Sequence, residues 1–154
     1  MRTSVDVHNF LLEREVPHEL VPVRGRLRSP ATVAAVLGLP PDHVGRVVLF
    51  EGGDSLVAAI MRSDRTADPH LVARAAGVDE VSEVLPDRAT ELTEFLSEAL
   101  PPVALPRGTG AVMDEALGRQ EVLYFPGGEI STLLKIRAAD LVRVTEATVA
   151  PLAA

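Results

Sequence analysis

Hydrophobic and polar positions alternate with a strand period through residues 44–50, VGRVVLF, and then run apolar without a break through 56–61, LVAAIM. The two segments are joined by Glu51-Gly52-Gly53-Asp54, where paired glycines tolerate the positive φ of a tight hairpin turn. Apolar residues at every position of 56–61 predict cover on both faces, and hence a central strand. Elsewhere the spacing turns helical. Val7, Phe10 and Leu11 form an i, i+3, i+4 stripe behind a Ser4 cap and predict a helix to about Glu15. Ser29-Pro30 opens a small helix over 32–37 that Gly38 ends, and Asp68-Pro69 opens another through Ala76 that Gly77 stops. Strands are predicted at 18–23, 81–85, 111–114, 121–125 and 130–136, with helices from Pro86 to about Thr93 and over 138–144. Between them, FLSEALPPVALPRGTG at 95–110 holds three prolines and two glycines, which forbid a long regular element. Strands and helices mix without regular βαβ alternation, so the fold class is α+β, in a single domain over 1–154.

One residue breaks the pattern of the central hairpin. By period-2 alternation Arg46 shares a face with Val44, Val48 and Phe50, so a guanidinium is carried into or beside an apolar layer. A charge there costs several kcal/mol unless it is paired or opens onto a polar ligand pocket. The functional question is what Arg46 meets.

Composition narrows the answer. The chain has no cysteine, which excludes a disulfide, a thiolate nucleophile and a cysteine metal site. The four histidines, at 8, 18, 43 and 70, have no ligand spacing, so no metal and no other cofactor is expected. No apolar run approaches the roughly 20 residues that span a bilayer, and the first residues lack a signal-peptide core, so a cytoplasmic protein without a membrane partner is expected. The net charge is −7, against the basic balance of proteins that grip nucleic acid by broad phosphate neutralisation. The charge is uneven: residues 1–50 carry +1 and the remainder −8. Any nucleic-acid contact is therefore local, nearest the Arg24-Gly25-Arg26-Leu27-Arg28 loop, which otherwise reads as solvated surface. No nucleophile elbow or phosphate loop of standard form is present. Three features could line one pocket. They are Arg46, the proline-rich loop around Leu100-Pro101-Pro102 with backbone donors to offer, and Asp114 at the end of an apolar strand. The plainer alternative is a structural Arg46–Asp114 ion pair beneath an ordinary loop.

The order of these segments carries a resemblance. The run HELVPVR, then SPATVAAVLGLPPDHVGRVVLFEGGDSLVAAIMRSDRTADPHLVARAAGVDEVSEVL, then TEFLSEALPPVALPRGTGAVMD, YFPGG and IRAADL, resembles the YbaK/ProX family, freestanding relatives of the prolyl-tRNA synthetase editing domain. The resemblance covers nearly the whole chain; its motifs are specific in combination, not singly. It implies a mixed α+β domain with a curved, partly barrel-like sheet flanked by helices. It also implies a deacylase acting in trans on the ester of mischarged aminoacyl-tRNA, with the tRNA 3′ end, and an aminoacyl-tRNA synthetase beside it, as partners. In the family a lysine matching Arg46 anchors the phosphate and ribose of the 3′ end. A Gly-x-x-x-Pro loop matching Glu98, Ala99, Leu100, Pro101 and Pro102 frames the aminoacyl group, and water is positioned with help from the substrate's own ribose hydroxyl. On this reading Asp114 orients Arg46 or the ribose, and Gly127 and Gly128 let backbone approach the substrate. The chain departs from the pattern at Arg46 for lysine, Glu98 for the loop glycine, Pro22 near a family histidine, and Thr132 for a later glycine. Glu98 and Pro22 favour a second reading, a catalytically silent module that binds an aminoacyl or nucleotide ligand, or a synthetase.

Overall fold

The computed structural model describes residues 1–23, 34–35 and 37–154. The arginine-rich loop at 24–28 and the opening of the helix expected over 32–37 lie outside the described residues.

Helix α1 (Ser4–Glu13) is capped by Thr3, whose hydroxyl accepts from Val5, while the Asp6 carboxylate accepts from the Thr3 amide. The sequence placed the cap one residue later, at Ser4. Two sheets follow. One has the order β1–β7–β6, from β1 (His18–Pro22), β6 (Val122–Pro126) and β7 (Thr132–Arg137), all antiparallel. The other has the order β4–β2–β3–β5–β8. Its centre is the expected hairpin, β2 (Gly45–Gly52) against β3 (Ser55–Arg62), turning through Gly53 at φ +59. β3 is central, as its apolar run predicts: β2 pairs on one side, and β5 (Gly110–Asp114) pairs parallel on the other. β4 (Ser82–Glu83) edges β2, and β8 (Thr148–Ala150) runs parallel to β5. An isolated Val44–Tyr124 bridge joins the two sheets into a curved but unclosed wall.

The period-2 faces of this wall divide the core. One face carries Leu49, Ile60, Met113, Leu123, Phe125 and Leu134 into the main core, beneath α1, α3 (Pro86–Thr93) and α5 (Ala138–Thr145). The other face of the larger sheet carries Val48, Phe50, Ala59, Met61 and Val112 beneath α2 (Pro69–Ala76) and Leu152. Helix α2 has the expected Asp68 cap, and Gly77 in the left-handed region ends it. The short α4 (Glu115–Gly118) and β8 are additions to the sequence reading, and the strand expected over 81–85 shrinks to two residues. Both additions are too short to show a period. Among the described residues no helix is long and apolar enough to cross a membrane.

Candidate functional site

Arg46 rises from the face of β2 that bears Val48 and Phe50, directly opposite Met61 on β3. The alternation of the sequence therefore holds. Its Nη2 donates to the Arg65 carbonyl at 2.9 Å, and its Nε is buried without a hydrogen-bond partner. Such a donor costs about 1–3 kcal/mol. Arg62, on the neighbouring strand, is different: its Nε lies 2.6 Å from Asp64 Oδ1, without hydrogen-bond alignment, and its Nη2 donates to Asp64 at 3.0 Å. No carboxylate among the described residues lies within 4.0 Å of Arg46.

The structural pair considered for Arg46 and Asp114 is not formed. Asp114 ends β5 on the same sheet face, one residue past the last paired position, Ile60 with Met113, while Arg46 pairs with Met61. Two strand spacings, about 10 Å, separate β2 from β5, with β3 between them. The Asp114 carboxylate, 4% exposed, instead accepts from the Leu152 amide at 3.0 Å.

The ground beside Arg46 is apolar. Val44, two residues earlier on the same face, is buried with Ala34 and Leu133, and Val21, Val23, Leu39 and Tyr124 pack against them. Gly45, between Val44 and Arg46, is required for packing: a Cβ there would lie 2.1 Å from Cε1 of the Phe125 ring. A cation thus stands at the edge of a small hydrophobic patch where the two sheets meet.

The two loops singled out from the sequence do come together, through backbone. Glu98 is exposed in a 3₁₀ turn (Ser97–Ala99), while Ala99, Leu100, Pro101 and Pro102 are buried. The Gly128 amide donates to the Ala99 carbonyl at 3.1 Å, and the Gly127 amide to the Thr132 carbonyl at 2.9 Å. Gly128 has φ +92, and a Cβ would lie 3.1 Å from Phe95 and from the Thr3 backbone; one at Gly127 would lie 3.1 Å from the Thr132 oxygen. The close approach that the glycines permit is thus between segments of this chain. Ser4 Oγ donates to Glu129, and Arg2 donates to the Ala104 carbonyl at 2.7 Å, so the start of α1 fastens both loops. Pro101 and Pro102 have no N–H to offer a ligand.

Pro102 lines a cavity of about 120 Å³ with Phe10, Ala58, Ala111 and Val144. Ala58 lies on the face of β3 that alternates through Leu56 and Ile60 into the main core, opposite to the face of Arg46. That cavity is therefore not a common pocket for the loop and the cation. A larger cleft of about 760 Å³, between α4, α5 and β8, contains Arg119, Arg137 and Val149 and none of the expected site residues. Sequence reasoning missed the Arg65 carbonyl and the Leu152 amide. Backbone groups leave no mark in a residue pattern.

A family model of the aminoacyl-tRNA editing domain matches residues 26–144, which include Arg46, both loops and Asp114. The chain belongs to that family. The editing domain also resembles solved structures over nearly its full length. A hypothetical protein, APE2540, is 25% identical with a TM-score of 0.90, over 97% of this chain and 99% of that one. A candidate trans-editing enzyme for prolyl-tRNA synthetase is 21% identical with a TM-score of 0.88, over 100% and 98%. A candidate signal transduction protein from Marinobacter aquaeolei VT8 is 20% identical with a TM-score of 0.66; 96% of this chain matches 30% of that one. No curated protein matches the editing domain.

Proposed function

We propose that this editing domain is a deacylase that acts in trans on mischarged aminoacyl-tRNA, with Arg46 as the contact to the 3′-terminal nucleotide. The observation that carries the reading is the state of Arg46: a guanidinium with a buried, unpartnered Nε, beside an apolar patch, with no carboxylate within 4.0 Å among the described residues. A phosphate or ribose oxygen suits the exposed Nη end of this guanidinium, where its single hydrogen bond is to the Arg65 carbonyl, and the planar fork of arginine suits phosphate. Membership of the editing-domain family supports ester hydrolysis as the reaction class. Water adds to the ester carbonyl, the carbonyl carbon–ribose oxygen bond breaks, and the ribose oxygen takes the proton. The products are the free amino acid and a tRNA with its terminal hydroxyl restored. A chain without cysteine can run this chemistry if the substrate's neighbouring hydroxyl holds the water. The loop from Glu98 to Pro102 and the Gly127-Gly128 turn would border the aminoacyl end as shaped backbone, each held by the other. The compartment is the cytoplasm, where charged tRNA is used, and a synthetase is the natural neighbour.

A second reading has its own observation. Glu98 is an exposed carboxylate on the loop that would meet an anionic substrate, and both glycine amides are already spent within the chain. A silent module that binds an acylated or nucleotide ligand without hydrolysis accommodates both facts. A panel of mischarged tRNAs, with spontaneous ester hydrolysis as the control, separates the readings. Acceleration on one substrate supports the deacylase, and none on any substrate leaves the silent module.

A further inference from the structure

Asp114 is buried, ends a central strand, and touches neither Arg46 nor the loops of the reading above, yet a path of hydrogen bonds and short stretches of chain runs from its carboxylate to the Arg46 guanidinium. Asp114 Oδ1 accepts from the Leu152 amide at 3.0 Å. Leu152 in turn accepts at its carbonyl from the Asp68 amide at 2.8 Å. Ala153 bridges antiparallel to Ala67, and the Ala154 amide donates to the Thr66 carbonyl at 2.9 Å. The next carbonyl back along the chain is that of Arg65, the acceptor for Arg46 Nη2 at 2.9 Å. The other side of this turn is fixed to the strand that carries Arg46: the Ser63 amide donates to the Val44 carbonyl at 2.8 Å, and Arg65 closes onto Arg62 at 3.1 Å.

We propose that Asp114 is a positioning residue for Arg46, acting through residues 152–154 and the 65–68 segment that they clamp. The inference rests on the reading of Arg46 as the ligand contact. The carboxylate fixes the backbone of a segment whose other holds are the buried Leu152 side chain and edge pairing, and that segment sets where the Arg65 carbonyl points. Without the anchor the turn frays, Nη2 loses its acceptor, and the guanidinium samples rotamers in which its charge is not presented to a ligand. An acceptor oxygen is the requirement here. The negative charge is not.

The test reads Arg46 directly. In the full ¹⁵N-labelled chain the Arg46 Nε–H resonance is assigned by its disappearance in Arg46→Lys, and its exchange with solvent is measured. Asp114→Ala should speed that exchange by about tenfold or more, the scale of one lost hydrogen bond in local order, while Asp114→Asn, which keeps Oδ1, should stay within about twofold of the parent. With whichever mischarged tRNA of the panel the parent hydrolyses as the probe, Asp114→Ala should raise KM severalfold at unchanged kcat, and should add nothing in an Arg46→Ala background. If Asp114→Ala does not fold, Arg65→Gly, which frees the carbonyl's backbone, should speed the exchange, and Arg65→Ala should not. Unchanged exchange in Asp114→Ala, or in Arg65→Gly where that is the variant that folds, overturns the positioning role. So does a KM effect that persists without Arg46. Faster exchange in a protein that hydrolyses no acylated tRNA keeps the positioning role and overturns the deacylase reading.

Discussion

Replacing Arg46 by alanine separates a structural cation from a functional one, because the structure fixes the sign and size of each contribution. The substitution removes one hydrogen bond from a charged donor, Nη2 to the Arg65 carbonyl at 2.9 Å, worth about 1.5–3 kcal/mol. It also removes a buried Nε with no partner, which costs about 1–3 kcal/mol in the parent. The two offset, and no carboxylate within 4.0 Å is left stranded. Stability to urea should therefore change by no more than about 1 kcal/mol, against the roughly 3–5 kcal/mol that follows when a buried ion pair loses a member. Ligand binding has no such compensation. Loss of a charge-assisted phosphate contact of about 1.5–3 kcal/mol weakens binding about ten- to a hundredfold. The assays are urea denaturation and deacylation across the mischarged panel. Arg46→Lys should fold and stay active, since an ammonium still meets a phosphate. An Arg46→Ala protein that deacylates at the parent rate ends the assignment, and one destabilised by several kcal/mol sends Arg46 back to the core.

Three further outcomes follow from the geometry. Gly45→Ala would put a Cβ 2.1 Å from a buried Phe125 ring carbon, so a loss of about 1–3 kcal/mol is expected, in part restored by Phe125→Leu; unchanged urea stability would mean that the strand crossing is looser than described. Glu98→Gly removes an exposed carboxylate from the loop proposed to meet the substrate and should raise deacylation at about 0.5–1 kcal/mol of stability, whereas a fall in rate would assign Glu98 a contact such as the substrate's α-amino group. An acidic protein that grips only the 3′ end should bind tRNA with a shallow salt dependence, log K falling with a slope of about −0.7 for each single-strand phosphate neutralised, and a slope equivalent to six or more phosphates would contradict that footprint.

The central hairpin was legible because two independent signals agree there: unbroken apolar residues over 56–61 and a Gly-Gly turn. Burial on both faces of β3, between β2 and β5, is the physical meaning of that run. Helix α2 was equally plain, with Asp68, Pro69 and Gly77 marking its start and stop. The cap of α1 was misread by one residue because Thr3 and Ser4 are both competent caps. The choice falls to Asp6, which stands three residues after Thr3 and returns its bond to the Thr3 amide. The parallel β3–β5–β8 arrangement was not legible. Parallel partners come from distant segments, and the short β8 has no period of its own.

The candidate site shows where residue patterns stop being informative. Arg46 stood out because a charge in an apolar alternation must be answered by something. The pattern cannot say whether the answer is a side chain, a ligand or a carbonyl, and here one nitrogen found the Arg65 carbonyl while another found nothing. Gly127 and Gly128 illustrate the same limit. A glycine pair records only that some backbone passes close by, and the substrate and the chain itself leave the same trace. A Cβ on Gly127 would lie 3.1 Å from Thr132 and one on Gly128 3.1 Å from Thr3 and Phe95, so segments of this chain crowd both positions. Through the Gly128–Ala99 bond the pair braces the 98–102 loop, so a side chain at Gly128 should disturb that loop before it obstructs any ligand.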